Sequence, residues 1–320
     1  MNKLISTIKK FGFKYLIIYT LFKLKVLKDD TRLLLLKQTY YKSLDQTEIE
    51  KSLCTWFYEH TGKKLNLNNV SSFNEKMQYL KLYDNSELKT IFADKYLAPQ
   101  KVKEICGDKI KIIPCLGVYT NAKEIDYSTL PEKFVLKCNH GSGMNIIVKN
   151  KQTLNKKNVA KKLNNWLKIN YAYRNGAFEM QYKDIPPRII AEEYIEEVDG
   201  NLHDYKIHCF NGEPKYIQVI GNRNLETHTA LECYFDTAWN KMNFTDVFPM
   251  YQKDIEKPFK LNEMIEVAKK LSQNFKYVRV DLYIIRDAIY FGELTFTSGN
   301  GIYKWSPETA DIEVGKLIKL

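Results

Sequence analysis

This sequence predicts an α+β fold, and three observations carry the prediction. Residues 1–88 hold Leu, Ile and Lys at helical spacing, with one break at Thr61-Gly62-Lys63-Lys64-Leu65-Asn66. Further on, strand-like runs fall into hairpins. The clearest are 204–210 and 214–220, on either side of Asn211-Gly212, a dipeptide suited to a tight turn. Helical stretches are interspersed among these runs, which is an α+β layout. No strand, glycine-rich turn and helix open the chain, so nothing suggests a Rossmann start.

The elements follow in order. A helix runs from Ala93-Asp94-Lys95 to Ile105, then a strand over 110–119. Strands over 133–138 and 145–149 flank the tip Asn139-His140-Gly141-Ser142-Gly143-Met144, and a helix spans 154–169. A strand over 189–195 ends in an acidic turn; the Asn211-Gly212 hairpin comes next, then a strand near 231–235 and a helix over 261–275. A last hairpin joins 277–284 to 289–296. Three regions result: a helical segment 1–88, an α+β part 89–195 and a second α+β part 196–320.

At 320 residues, 44% hydrophobic and 27% charged, the chain can bury a sizeable core. Its net charge of +11 suits anionic company: nucleotide phosphates, an acidic polymer, nucleic acid or an anionic membrane face. The lysines are spread out with no aromatic-basic module, which disfavours nucleic acid. The six cysteines are scattered without a C-x-x-C pair, against a zinc site and a disulfide framework. They read as small core residues in a reducing cytosol. No stretch approaches the roughly 20 apolar residues of a transmembrane helix. The short apolar run 15–22 is flanked by Lys9, Lys10, Lys14, Lys23, Lys25 and Lys28. It reads as a helix packed on the protein body; the alternative is a basic helix resting on an anionic leaflet. The expected location is cytoplasmic, either free or peripheral at the inner membrane face.

The final hairpin carries the chemistry. Val278, Val280, Leu282 and Ile284 alternate with Tyr277, Arg279, Asp281 and Tyr283. A three-residue turn, Arg286-Asp287-Ala288, pairs Tyr283 with Phe291, Asp281 with Glu293 and Arg279 with Thr295. Two carboxylates directly opposite each other repel. A divalent cation such as Mg²⁺ between them reverses that sign. The alternatives are that both face water, or that Arg279 neutralises them. Asp204 and Lys206 share a face of their strand, so Lys206 either meets a phosphate or forms a cross-strand ion pair. The Asn139–Met144 tip lacks the G-K-[ST] and following helix of a Walker loop, yet a glycine-rich hairpin tip can cover phosphates. A plain flexible turn would look the same. Glu192-Glu193-Tyr194-Ile195 either meets an adenine edge or leaves the core as a solvated strand end.

The order of these pieces resembles the ATP-grasp superfamily, and most closely its TupA-like (teichuronopeptide-biosynthesis) branch, found in bacterial surface-polysaccharide gene clusters. The resemblance rests on Phe73-Asn-Glu-Lys-Met-Gln-Tyr-Leu-Lys-Leu-Tyr83, Ala93-Asp-Lys95, Phe134-Val-Leu-Lys-Cys-Asn-His-Gly-Ser-Gly143, Pro186-Pro-Arg-Ile-Ile-Ala-Glu-Glu-Tyr194, Asp204-Tyr-Lys206, Phe210-Asn-Gly212, Arg279-Val-Asp281 and Gly292-Glu-Leu-Thr-Phe296. It runs from about residue 70 to the C-terminus. It implies an ATP-grasp fold, two α+β subdomains clamping MgATP, behind a helical N-terminal extension.

By that resemblance, Lys95 and Lys137 contact the phosphates beneath a flap of His140, Gly141, Ser142 and Gly143. Glu192 meets the adenine amino group, and the main chain at Glu193 and Ile195 meets the ring edge. Asp204 belongs to the nucleotide site, Lys206 approaches the γ-phosphate, and Arg279 joins Lys206 in the catalytic set. Asp281 and Glu293 hold Mg²⁺, with Asn300 or water completing the shell. Two departures stand out: Thr295 replaces the usual Asn of Glu-x-Asn, and Pro99-Gln100 stands where related chains carry an arginine. The implied activity is ATP-dependent joining of a carboxylate to an amine through an acyl phosphate. The carboxylate would be a uronic acid of a surface glycan and the amine an amino acid. The rivals are a glycosyltransferase, against which no D-x-D occurs, a non-catalytic nucleotide-binding module and an ATP-grasp phosphotransferase.

Overall fold

The computed structural model describes residues 7–8, 10–23, 31–195, 203–224, 229–246, 248–251 and 254–320. The acidic turn expected after Ile195 lies outside them, as do Lys9, Lys25 and Lys28. The chain forms two compact units, each made of separated stretches: Met1–Leu65 with Gly117–Ala191, and Asn66–Leu116 with Glu192–Leu320.

In the first unit, helices α1 (Phe13–Lys23), α2 (Thr31–Lys42) and α3 (Gln46–Thr61) precede the sheet. Asp45 caps α3 by accepting the Glu48 N–H while Glu48 reaches back to the Asp45 N–H, and Gly62 closes the helix at φ 71°. On α1, Tyr15 and Ile18 pack against Leu33 of α2, leaving Phe13, Ile17 and Tyr19 exposed. Among the described residues no helix is long and apolar enough to cross a membrane. Strands β1 (Cys115–Tyr119), β2 (Phe134–Cys138), β3 (Asn145–Val148) and β4 (Ile189–Glu193) form a sheet in the order β1-β4-β2-β3. Helix α7 (Lys156–Trp166) buries Val159 and Leu163.

The second unit opens with α4 (Phe73–Tyr83), α5 (Glu87–Ala93) and α6 (Leu97–Cys106). Ser72 and Glu75 cap α4 reciprocally, an S-x-x-E box. The single helix expected over 93–105 is in fact α5 and α6, parted at Asp94, whose side chain turns to accept the Tyr96 N–H at 2.8 Å. The strand expected over 110–119 shortens to β1. Pro114, with no N–H to donate, interrupts it. Lys111 instead pairs alone with residues 289–291.

Five strands then make the unit's antiparallel sheet: β5 (Asp204–Phe210), β6 (Glu213–Asn224), β7 (Thr229–Asp236), β8 (Tyr277–Ile285) and β9 (Ala288–Thr295), in the order β7-β6-β5-β8-β9. Asn211 and Gly212 turn at φ 50° and 81°, the left-handed pair that a tight hairpin needs. Helix α8 (Leu261–Ser272) spaces Leu261, Met264, Val267, Ala268 and Leu271 along one buried face. Met264 and Val267 are wholly buried, each contributing about 1.5–3 kcal/mol. A second cluster joins Phe73, Met77, Tyr216, Tyr234, Phe244, Tyr277, Tyr303 and Trp305, with α9 (Thr309–Gly315) closing the chain.

The last hairpin differs from expectation on one side of a bulge. Its turn has two residues, Arg286 and Asp287, both left-handed at φ 46° and 63°. Asp281 still faces Glu293, and Arg279 still faces Thr295. Tyr283 pairs with Tyr290 and not Phe291, because an irregularity after Asp281 absorbs Gly292 as an extra residue.

Candidate functional site

Partners across adjacent strands project to the same face, so the register fixes which side chains meet. Gln218 faces Tyr234 and Lys206; Lys206 faces Asp281; Asp281 faces Glu293. Tyr234, Gln218, Lys206, Asp281 and Glu293 thus form one row across all five strands. His208, Arg279 and Thr295 belong to the neighbouring row.

At the centre of these rows lies a network of opposite charges. Arg279 donates to Asp281 through Nε and Nη2, both at 2.7 Å. Lys206 Nζ reaches Asp281 at 2.6 Å and Asp204 at 2.7 Å. Lys95 lies 3.3 Å from Glu293, and Arg279 Nη2 lies 3.6 Å from it. Thr295 Oγ1 accepts from Arg279 at 3.1 Å and donates to Glu293 at 3.4 Å. Arg279 therefore does neutralise Asp281, one of the alternatives the sequence left open. Three cations (Lys95, Lys206, Arg279) face three carboxylates (Asp204, Asp281, Glu293). Burial opposes ionisation of Glu293, but the charges of Lys95, Arg279 and Lys206 override it and hold the carboxyl down at about 2. Burial likewise opposes charge on Arg279, and the adjoining Asp281 outweighs it, keeping the guanidinium protonated.

Arg279 is fixed from a further side. Its Nη1 donates to Ser298 Oγ at 2.9 Å, and that hydroxyl pairs with Tyr303 Oη at 2.6 Å. Ser298 belongs to the polar, glycine-containing loop 297–301, whose residue types suit oxygen ligands or anion contacts. Nothing local in the sequence marks Tyr303, because its position follows from the turn at 298–301, where Asn300 is left-handed at φ 59°. Helix α4 holds that turn. Gln78 and Lys81 donate to the Asn300 carbonyl at 3.2 and 2.8 Å, while Asn74 bonds both the N–H and the carbonyl of Tyr303. Asn300 Oδ1 is buried and has no hydrogen-bond partner.

A magnesium ion needs oxygen ligands, and the residues present fit one. Asp281 and Glu293 stand opposite each other, and Asn300 supplies an unused buried oxygen. Among the described residues no group of three or more His, Cys, Asp and Glu side chains could hold a metal by themselves. A cation here would therefore take ligands from other donors as well.

The remaining sequence candidates are placed as follows. In the first unit, Lys137 is half-buried on β2, and Ser142 and Gly143 are exposed at the tip. Gly143 sits at φ 72°, and a Cβ on Gly141 would collide with the Tyr171 ring. His140 is buried, its ring nitrogens 3.4 Å from Asn139 Oδ1 and 3.2 Å from the Trp166 carbonyl, so its imidazole braces the tip from within. In the second unit Glu192 is buried, and the Glu193 N–H donates to the Pro114 carbonyl at 3.1 Å. Ile195 is half-buried just past the strand.

The family described as TupA-like ATPgrasp matches residues 75–319. No curated protein sequence matches the chain. Among solved structures, D-alanine–D-alanine ligase of Bacillus anthracis, complexed with ATP, is 19% identical, covering 64% of this chain and 55% of its own, at a TM-score of 0.40. D-alanine–D-alanine ligase of Helicobacter pylori is 15% identical over 78% of this chain and 71% of its own, at 0.44. Phosphoribosylamine–glycine ligase of Thermotoga maritima is 12% identical over 65% and 48%, at 0.40. The chain thus spans about half the length of two of these ligases.

Proposed function

Because the chain belongs to the TupA-like ATP-grasp family and has its fold, we propose that it is an MgATP-dependent carboxylate–amine ligase. The observation that carries this reading is the Lys206–Asp281–Glu293 row, with Arg279 behind it and Lys95 beside it.

Phosphoryl transfer needs positioning and neutralised charge more than covalent help from the protein. Asp281 and Glu293, with Asn300, would hold Mg²⁺, which when bound supplies charge neutralisation at the phosphates. Arg279 keeps the Asp281 carboxylate aimed. Lys206 and Lys95, now engaged by carboxylates, would exchange those partners for phosphate oxygens. Asp204 would keep Lys206 in place during that exchange. On the first unit, Lys137 and the backbone of Gly141, Ser142 and Gly143 would contact phosphates, His140 supporting them from below. Glu192 would meet the adenine amino group, and the main chain at Glu193 and Ile195 the ring edge. Attack of a substrate carboxylate on the γ-phosphate releases ADP and leaves an acyl phosphate; an amine then displaces phosphate to give the amide.

For the substrate we favour a uronic acid of a bacterial surface polysaccharide, with an amino acid as the amine. The resemblance to the teichuronopeptide-biosynthesis branch and the +11 charge, which suits an acidic glycan, support that choice. Exposed Phe13, Ile17 and Tyr19 on α1, beside Lys14 and Lys23, support a peripheral seat on the inner membrane face.

The test is thermal unfolding with ATP, with Mg²⁺ and with both, on the native protein and on Glu293→Gln. Ligand at about a hundred times its Kd adds about 2.7 kcal/mol, a rise of a few degrees. A rise that needs both ligands and shrinks in Glu293→Gln is expected. A rise with a nucleotide sugar and none with ATP would replace the ligase by a glycosyltransferase. ATP turnover indifferent to added carboxylates would remove the ligase chemistry.

A further inference from the structure

A cavity of about 340 Å³ opens in the second unit, lined by Thr245, Asp246, Phe248, Gly299, Ile302, Tyr303 and Lys304. None of these is a nucleotide or metal candidate. Asp246 is the unusual wall: it is only 3% exposed, its Oδ2 makes no hydrogen bond of ordinary geometry, and the Tyr234 hydroxyl is the other polar group beside it. Its other oxygen, Oδ1, accepts from Gln218 Nε2 at 3.3 Å. The same amide donates to the fully buried Glu232 at 2.9 Å. Glu232 Oε1 in turn accepts the Asp246 N–H at 2.7 Å. Two buried carboxyls therefore share one amide, and one of their oxygens is left over at the wall of a cavity.

We propose that this cavity binds the primary ammonium group of a small molecule, with Asp246 as its anchor and the Tyr303 ring as part of its wall. Its role as the amine-substrate subsite rests on the ligase reading above. An orphaned buried carboxyl oxygen costs stability unless something is paired with it, and a –NH₃⁺ group brings donors without an acceptor that would clash with it. Burial and the neighbouring Glu232 push the Asp246 carboxyl well up, so it waits neutral and ionises when a cation arrives. Two aromatic residues, Phe248 and Tyr303, line the cavity, and aromatic faces attract ammonium. The cavity is also tied to the charged row. Tyr303 Oη meets Ser298 Oγ, which accepts from Arg279, the residue that grips Asp281. Three hydrogen bonds thus run from the Tyr303 hydroxyl to the Asp281 carboxylate.

Saturation-transfer NMR on the full chain without nucleotide tests this, using glycinamide and its uncharged isostere glycolamide. Glycinamide should bind saturably and glycolamide should not. Asp246→Asn should weaken glycinamide by about thirtyfold or more, the loss expected on removing one partner of a buried charge pair. Ile302→Trp, which fills the cavity and leaves both carboxyls intact, should abolish binding and decides the matter if Asp246→Asn fails to fold. Absence of glycinamide binding, equal binding of the two amides, or binding that survives Ile302→Trp would overturn the assignment. No nucleotide enters the assay, so failure of the MgATP reading would leave its result standing, and the reverse.

Discussion

Arg279 grips Asp281 with a two-pronged contact, Nε and Nη2 each 2.7 Å from a carboxylate oxygen, and both residues lie on β8 two positions apart. The planar fork matches the carboxylate in a way an ammonium cannot. Arg279→Met would leave the almost fully buried Asp281 paired with the Lys206 ammonium but without its guanidinium, at a cost of about 3–5 kcal/mol. Arg279→Lys keeps the charge but loses the fork and the bond to Ser298, costing about 1.5–3 kcal/mol. Urea unfolding should show both as lower midpoints with unchanged slopes, Met below Lys. Equal losses would mean that charge alone, and not the fork, matters.

Glu293 gives the site a definite pH signature. Its carboxyl sits at about 2 against an ordinary 4.5, because the cations around it favour the charged form. A folded value below the unfolded one means that the stabilisation is fully present above 4.5 and is lost as pH falls through about 2. With the side chain 43% exposed, part of the effect is screened by salt. The stability gap between the native protein and Glu293→Gln should therefore narrow as pH falls from 4.5 to about 2, and narrow less at high salt. Urea midpoints across that range check it; a constant gap would show that Lys95 and Arg279 do not act on this carboxyl.

The opposition of Asp281 and Glu293 was legible because period-2 alternation fixes a face near the end of a hairpin. The pairing of Tyr283 was not. The two-residue turn at Arg286-Asp287 and the extra residue at Gly292 compensate each other, and alternation alone cannot count them. Lys206 could be placed on a face from Asp204-x-Lys206, but its neighbour across the sheet depends on β5 lying beside β8, a long-range pairing with no local signal. For the same reason Asp246, between strands and far from Gln218 in sequence, gave no sign of the cavity. The break at Asp94 does have a signal in Pro99, which the first turn of α6 tolerates but the interior of a helix begun at Ala93 would not.

Gly292 is where that register is set. A Cβ there would meet the Tyr283 ring at 2.9 Å and the Asp281 carbonyl at 3.0 Å, the latter being backbone that cannot swing aside. Gly292→Ala should cost about 1–3 kcal/mol through overpacking. It should also displace Glu293 from Asp281, so that the thermal shift given by Mg²⁺ with ATP falls even after allowing for the lower starting midpoint. An Ala variant with the native shift would mean that the bulge is incidental to the site.

Asn74 controls the site from a helix that carries none of its charges. Its Nδ2 donates to the Tyr303 carbonyl at 2.9 Å, its Oδ1 accepts the Tyr303 N–H at 3.0 Å, and Asp311 accepts from it as well. Asn74→Ala strips partners from two buried backbone groups and should cost about 2–3 kcal/mol. Asn74→Asp keeps an acceptor for the Tyr303 N–H but sets a second carboxylate beside Asp311, so repulsion and the lost donor act together. Asp should therefore fall below Ala in urea midpoint at neutral pH, and the order should reverse once the carboxyls are protonated in acid. Either variant frees Tyr303 and, through Ser298, loosens Arg279. Binding of MgATP should weaken in both although neither residue touches a nucleotide. Variants that lose stability but keep native MgATP affinity would show that the latch serves the fold alone.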